Sequence, residues 1–124
     1  SKGVIFMKRD LELIRKILLW AEQNCDGRHD IMAPFIHIAG ATPIEIDFQL
    51  RLLRDEKLIV YEGRKLKPVT RWVHFTRLTS KGYDLLHALK NDSIWNQLLE
   101  KFKDESLSSI CKIAFALGEK YLML

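Results

Sequence analysis

The sequence predicts a mostly helical α+β fold: a winged helix-turn-helix with a small β-hairpin wing and extra C-terminal helices. Three observations carry that expectation. Helical apolar spacing through Leu50 and Leu53 runs out into the short apolar segment Leu58-Ile59-Val60-Tyr61. A basic turn and an alternating segment follow, from Arg64 to Arg77. A helix entry, Leu78-Thr79-Ser80-Lys81-Gly82, then closes the unit. Helix, strand, basic hairpin, strand, helix is the order of a winged domain.

At 124 residues the chain predicts one domain with a helical extension. The expected boundaries are residues 7–90 for the winged unit and 91–124 for the extension, which either packs on the domain or forms a dimer interface. Residues 1–6 read as added residues, an alternative start or a flexible N-terminus, with Met7 as the expected native first residue. With 48% hydrophobic and 29% charged residues, the balance is that of a globular protein and not of a disordered one. A chain of this size buries roughly 65–70% of its unfolded surface, enough for a core without staples. No apolar run reaches the ~18 residues that a membrane span needs, and no secretory signal is legible. Cys25 and Cys111 have no metal-like spacing, which with the absent signal predicts a reducing cytoplasm.

The elements follow in order. Asp10 caps a first helix in which Leu11, Ile14, Ile17, Leu18 and Ala21 make the buried band, widened by Leu13, Leu19 and Trp20. Asn24 and Asp26-Gly27-Arg28 end it. Pro34-Phe35-Ile36-His37-Ile38 predicts a short strand, with any second helix compressed or missing. Thr42-Pro43-x-Glu45 opens the next helix with a capping box and a proline at its first position. That helix carries two apolar stripes, Ile46/Leu50/Leu53 and Ile44/Phe48/Leu52, and so is expected to be gripped from two sides. Lys57 stands where glycine is the usual helix stop. In the return strand Trp72, His74 and Thr76 face one way, and Val73, Phe75 and Arg77 the other. Thr79 or Ser80 caps the following helix, whose buried side is Tyr83, Leu85, Leu86 and Leu89. A short helix starts at Asp92 or Ser93, and a last helix follows Ser106.

Charge is uneven along this scaffold. Residues 1–57 are neutral overall, residues 58–81 carry a net +5, and residues 82–124 a net −1, within a total of +4. The positive excess therefore sits in the expected wing and its exit. A solvated hairpin is basic for solubility alone, and a cationic patch on a neutral chain is also what phosphate contact requires.

The run Met7-Lys8-Arg9-Asp10-Leu11-Glu12-Leu13-Ile14 resembles the opening of an uncharacterised family of small phage- and prophage-borne bacterial proteins, a domain of unknown function. The resemblance continues through Phe48–Leu53, Leu58-Ile59, Leu78–Gly82 and Asn91–Trp95, and covers the chain from Met7 to about Lys103. It implies a winged-helix fold and a mobile-element origin, and no activity. Two positions depart from that family, in which Gln49 is commonly His and Lys57 commonly Gly. The Leu78–Leu86 segment is also similar to the helix entry after the wing in many bacterial transcription regulators.

The expected function is a small DNA-binding protein, a phage or prophage regulatory factor. The helix after Thr42 would lie near the major groove, with Gln49 reading adenine and Arg51 or Arg54 reading guanine or holding phosphate. Arg64, Lys65, Lys67 and Arg71 would anchor phosphates. Against base reading, that helix carries four acids and two arginines. Asp47 and Arg51 also have the spacing of a helical ion pair. The alternative is a protein-interaction module engaging a host or phage protein. The last helix is expected either to pack back on the first or to make a homodimer. No enzyme, cofactor or metal centre is read. His29, His37, His74 and His87 have no ligand spacing, the glycines are isolated, and Trp20, Trp72 and Trp95 read as core and boundary residues.

Overall fold

A computed structural model describes residues 7–63 and 70–122. Of the expected phosphate anchors, Arg64, Lys65 and Lys67 lie outside the described residues. The described part is α+β: five helices, a 3-10 turn and a two-stranded antiparallel hairpin.

Helix α1 spans Leu11–Asn24, and the Asp10 carboxylate accepts the Leu13 amide at 3.1 Å. Its buried face is Leu11, Leu13, Ile14, Ile17, Leu18 and Ala21, the band that the spacing predicts. The strand expected over residues 34–38 is not there. A 3-10 turn, Ala33–Phe35, takes its place, and the extended contact falls earlier, where Ile31 and Phe75 exchange backbone hydrogen bonds of 2.8 and 3.1 Å. Pro34 has no amide to donate and sits at the start of the 3-10 turn, a position suited to proline's fixed φ.

Helix α2 spans Pro43–Asp55 and opens with the predicted capping box. The Thr42 amide reaches Glu45 Oε1 at 2.8 Å, and the Glu45 amide reaches Thr42 Oγ1 at 3.2 Å. Its other end is a Schellman turn: Leu58 N–H bonds Leu53 C=O at 2.8 Å, and Lys57 N–H bonds Arg54 C=O at 2.9 Å. That closure needs a left-handed residue, and Lys57 supplies it at φ 59°. An L residue with a Cβ costs roughly 1–2 kcal/mol there, and glycine's greater freedom when unfolded returns part of that. Lys57→Gly is therefore expected to stabilise the protein by about 0.5–1 kcal/mol. Thermal denaturation followed by circular dichroism checks the sign.

Only one stripe of α2 is gripped. Ile46, Leu50 and Leu53 are fully buried, whereas Ile44 is 53% exposed and Phe48 and Leu52 are half-buried. The first stripe meets the elements that pack on α2, which are α1, the 3-10 turn and the Ile59–Val60 strand, and the second lies at the edge of that contact.

Strand β1 (Ile59–Val60) pairs with β2 (Arg77–Leu78) in the register Ile59 to Leu78 and Val60 to Arg77. Helix α3 (Ser80–Lys90) follows, capped by Thr79. Asn91 both ends α3 and caps α4 (Asp92–Lys101), and Ser106 caps α5 (Leu107–Tyr121). Helix α3 is the hub, packed on α1, α4, α5 and β2, and α5 packs chiefly on α3 and α4. Tyr83, expected in the buried side of α3, is exposed, and Gly82 and Ala88 are buried there with Leu85, Leu86 and Leu89. Small residues bring α3 closer to its neighbours than a tyrosine at that contact permits.

Candidate nucleic-acid interface

Of the residues singled out for recognition, the described ones lie on α2, with Gln49, Arg51 and Arg54, and on the arm that returns to β2, with Arg71. They do not present one continuous reading surface. Gln49 is 3% exposed. Its amide accepts the Asp10 N–H at 3.0 Å and donates to the Lys8 carbonyl at 3.0 Å. Both polar ends are thus taken up in holding the chain just ahead of α1, so the geometry does not offer Gln49 to a base edge. Helical spacing alone cannot tell a polar residue on the wet face from one that satisfies a buried backbone.

Asp47 is buried with its carboxylate divided between two donors. One oxygen accepts the Val73 amide at 2.8 Å, and the other accepts Arg51 Nε at 2.9 Å. Arg51 also donates from its terminal nitrogen to the Arg71 carbonyl. The predicted Asp47–Arg51 pair is therefore present, and it is part of a junction between α2 and the returning arm. Arg54 and Arg71 are exposed, with no ion-pair partner among the described residues.

The electrostatics of α2 change in consequence. Glu45 closes the capping box, Asp47 is buried, and Glu56 accepts Lys81 Nζ at 3.5 Å. Of the four acids on or ending this helix, Asp55 is the one that stands exposed with no side-chain hydrogen bond or ion pair among the described residues. At the root of the hairpin, Arg77 and Glu62 form a two-pronged pair of 2.6 and 3.2 Å. The Arg77 hydrogen bond holds the Glu62 carboxyl below its ordinary range, and the same bond raises Arg77. Arg77 and Lys81 are thus paired, and among the described residues of this region Arg71 has no ion-pair partner.

A second polar cluster has no trace in the sequence. His74 has a side chain only 9% exposed, with Nδ1 2.7 Å from an Asp30 oxygen and Nε2 2.8 Å from Thr70 Oγ1. A carboxylate only accepts, so Nδ1 carries the proton toward Asp30 and a neutral ring accepts the Thr70 hydroxyl at Nε2. Thr70 Oγ1 in turn accepts the Trp72 amide at 3.3 Å. Trp72, Thr70, His74 and Asp30 are thus joined in one polar chain, and the Tyr61 ring stands edge-on to His74 at 6.0 Å. Asp30 and His74 are 44 positions apart, which hides the pairing from any spacing rule.

The remaining chemistry is sparse. No group of three metal-ligating side chains occurs among the described residues, and His87 is exposed on α3. Burial pushes both cysteine thiols up to about 11, with Asp26 adding to the effect at Cys25. Thiolate is the reactive form, so at pH 8 both cysteines are expected to react roughly 100-fold more slowly with a disulfide reagent than a free thiol does. Stopped-flow labelling of native against urea-unfolded protein measures this, and a burst of native labelling would contradict it. The same shifts make stability present below about pH 9 and progressively lost as pH rises through about 11, because the unfolded thiols ionise first.

No helix among the described residues is long and apolar enough to cross a membrane. Comparison with known proteins bears on kinship. No solved structure matches. A Haemophilus influenzae protein described as uncharacterized is 30% identical over 102 residues, spanning 82% of this chain and 83% of that protein. Residues 8–108 match the family described as "Hypothetical protein (DUF2513)". By that match, which takes in every element from α1 through α4, the chain belongs to the DUF2513 family.

Proposed function

We propose that this protein is a winged-helix DNA-binding factor of phage or prophage origin that grips duplex DNA mainly through its hairpin. The element order supports the winged reading. Helix α1, the Ile31 bridge, a 3-10 turn in place of a second helix, α2, the hairpin and α3 follow one another as in a winged domain. Arg64, Lys65, Lys67 and Arg71 hold phosphates, joined by Arg54 and the free edge of Arg51. The observation that carries the reading is the ion pairing of two of the four α2 acids, Asp47 with Arg51 and Glu56 with Lys81, which offsets part of the repulsion that a phosphate would otherwise meet.

Gln49 has no part in this proposal because its amide is already bonded on both sides. Recognition is therefore weighted toward the backbone and toward groove shape. With three or four phosphate contacts, log affinity falls against log salt with a slope of about −3 to −4. Fluorescence anisotropy with labelled duplex at low salt tests this. Charge reversal at Arg64, Lys65 and Lys67 is expected to abolish binding. No binding at about 50 μM protein, or equal binding by the reversed hairpin, overturns it.

One observation favours a second reading, a module that engages a host or phage protein. The outward face of α2 carries Ile44, 53% exposed, beside the half-buried Phe48 and Leu52. In that case Ile44→Asp removes a stoichiometric, nuclease-resistant partner from a pull-down while leaving the fold intact. Loss of the partner on nuclease treatment counts against it.

A further inference from the structure

We propose that Asp47 and His74 are positioning residues that clamp the returning arm of the hairpin, Thr70–Phe75, between α2 and the chain after α1. The inference rests on the reading of the hairpin as the binding element. The β1–β2 ladder is two residue pairs long, and such a ladder leaves the direction of the long connection beyond it open. What fixes the arm is polar and lies on both of its sides. On the α2 side, Asp47 takes the Val73 amide at 2.8 Å, and Arg51 donates to the Arg71 carbonyl. On the opposite side, the His74 ring ties Thr70 to Asp30, and Phe75 exchanges backbone bonds with Ile31. Val73 and Phe75 turn inward and are buried, so the arm has an apolar seat under both clamps.

The arrangement has a definite consequence for binding. A loop already held in its bound orientation loses little freedom when a ligand arrives, and a loop that must first be ordered binds more weakly. Asp47 and His74 need not touch DNA to matter: they set where Arg71 stands relative to α2.

Asp47→Ala removes the acceptor of the Val73 amide. Asp47→Asn keeps an oxygen there and makes the same change in charge, so any difference between the two variants reports the clamp and not the charge. His74→Ala releases the other side without touching α2. The experiment reads amide hydrogen exchange at Trp72–Phe75 and at the core residues Leu50 and Leu86, together with duplex binding by anisotropy. Expected are a loss of arm protection of about 10-fold or more in Asp47→Ala and His74→Ala with core protection kept, and protection near wild type in Asp47→Asn. Duplex affinity is expected to fall about 5- to 10-fold in the two alanine variants and to recover in Asp47→Asn. Unchanged arm protection in the alanine variants overturns the proposal, as does a loosened arm that binds DNA as tightly as before. If the wild type binds no duplex, the DNA reading fails, and the exchange data still decide whether the arm is clamped.

Discussion

Gly82→Ala is expected to cost about 3 kcal/mol or more and to lower the thermal midpoint by about 10 °C or more. A Cβ at this position would stand 2.2 Å from the Leu58 carbonyl oxygen and 3.1 Å from the Leu58 carbonyl carbon. Both are backbone atoms, and that backbone is not free to move. Leu58 C=O accepts the Thr79 amide at 2.9 Å, and the Thr79 hydroxyl donates to Lys57 C=O at 2.7 Å while accepting the Gly82 amide at 3.0 Å. Leu58 N–H in turn closes the Schellman turn of α2. The first turn of α3 is therefore docked directly on the Leu58 backbone that follows α2, and a methyl group must push α3 away from it. Chemical denaturation of Gly82→Ala beside Lys57→Gly gives a sharp check. The two sites lie across the same junction and are expected to change stability in opposite directions, so a neutral Gly82→Ala would refute the close approach.

Phe75→Ala is expected to destabilise by about 3–5 kcal/mol, a large share of the total for a domain of this size. Phe75 is fully buried, and its backbone makes the bridge to Ile31. Truncation opens a cavity beneath the hairpin arm, and the arm is short of other apolar anchors, with Val73 the nearest in sequence that is buried. Phe75→Leu keeps most of the volume and should cost less than about 1.5 kcal/mol. Urea titrations of the pair measure the difference. Equal midpoints for the alanine and leucine variants would show that the arm does not contribute to the core.

The local features were the ones legible in sequence. Asp10, Thr42, Thr79 and Ser106 each cap a helix, because capping is decided by a polar side chain and the three amides that follow it. The apolar band of α1 was equally readable, since one face of one helix sets it. The segment around Pro34 forms a 3-10 turn and not the expected strand, because a short apolar run has no periodicity to distinguish the two. The second stripe of α2 differs from expectation for a related reason. Spacing shows that Ile44, Phe48 and Leu52 share a face, and only the placement of neighbouring elements shows that this face is partly open, with Ile44 exposed.

The site divides along the same line. The sequence by itself determined the α+β order, the helix caps and the concentration of positive charge between residues 58 and 81, all of which depend on residues close together in the chain. Tertiary structure alone decided which polar groups are available. It turned Gln49 inward to the Lys8 carbonyl and the Asp10 amide, gave Asp47 to the Val73 amide, and joined Asp30 to Thr70 through His74. The physical reason is that a buried polar group must find a partner wherever the fold brings one, and such partners are set by packing and not by spacing along the chain.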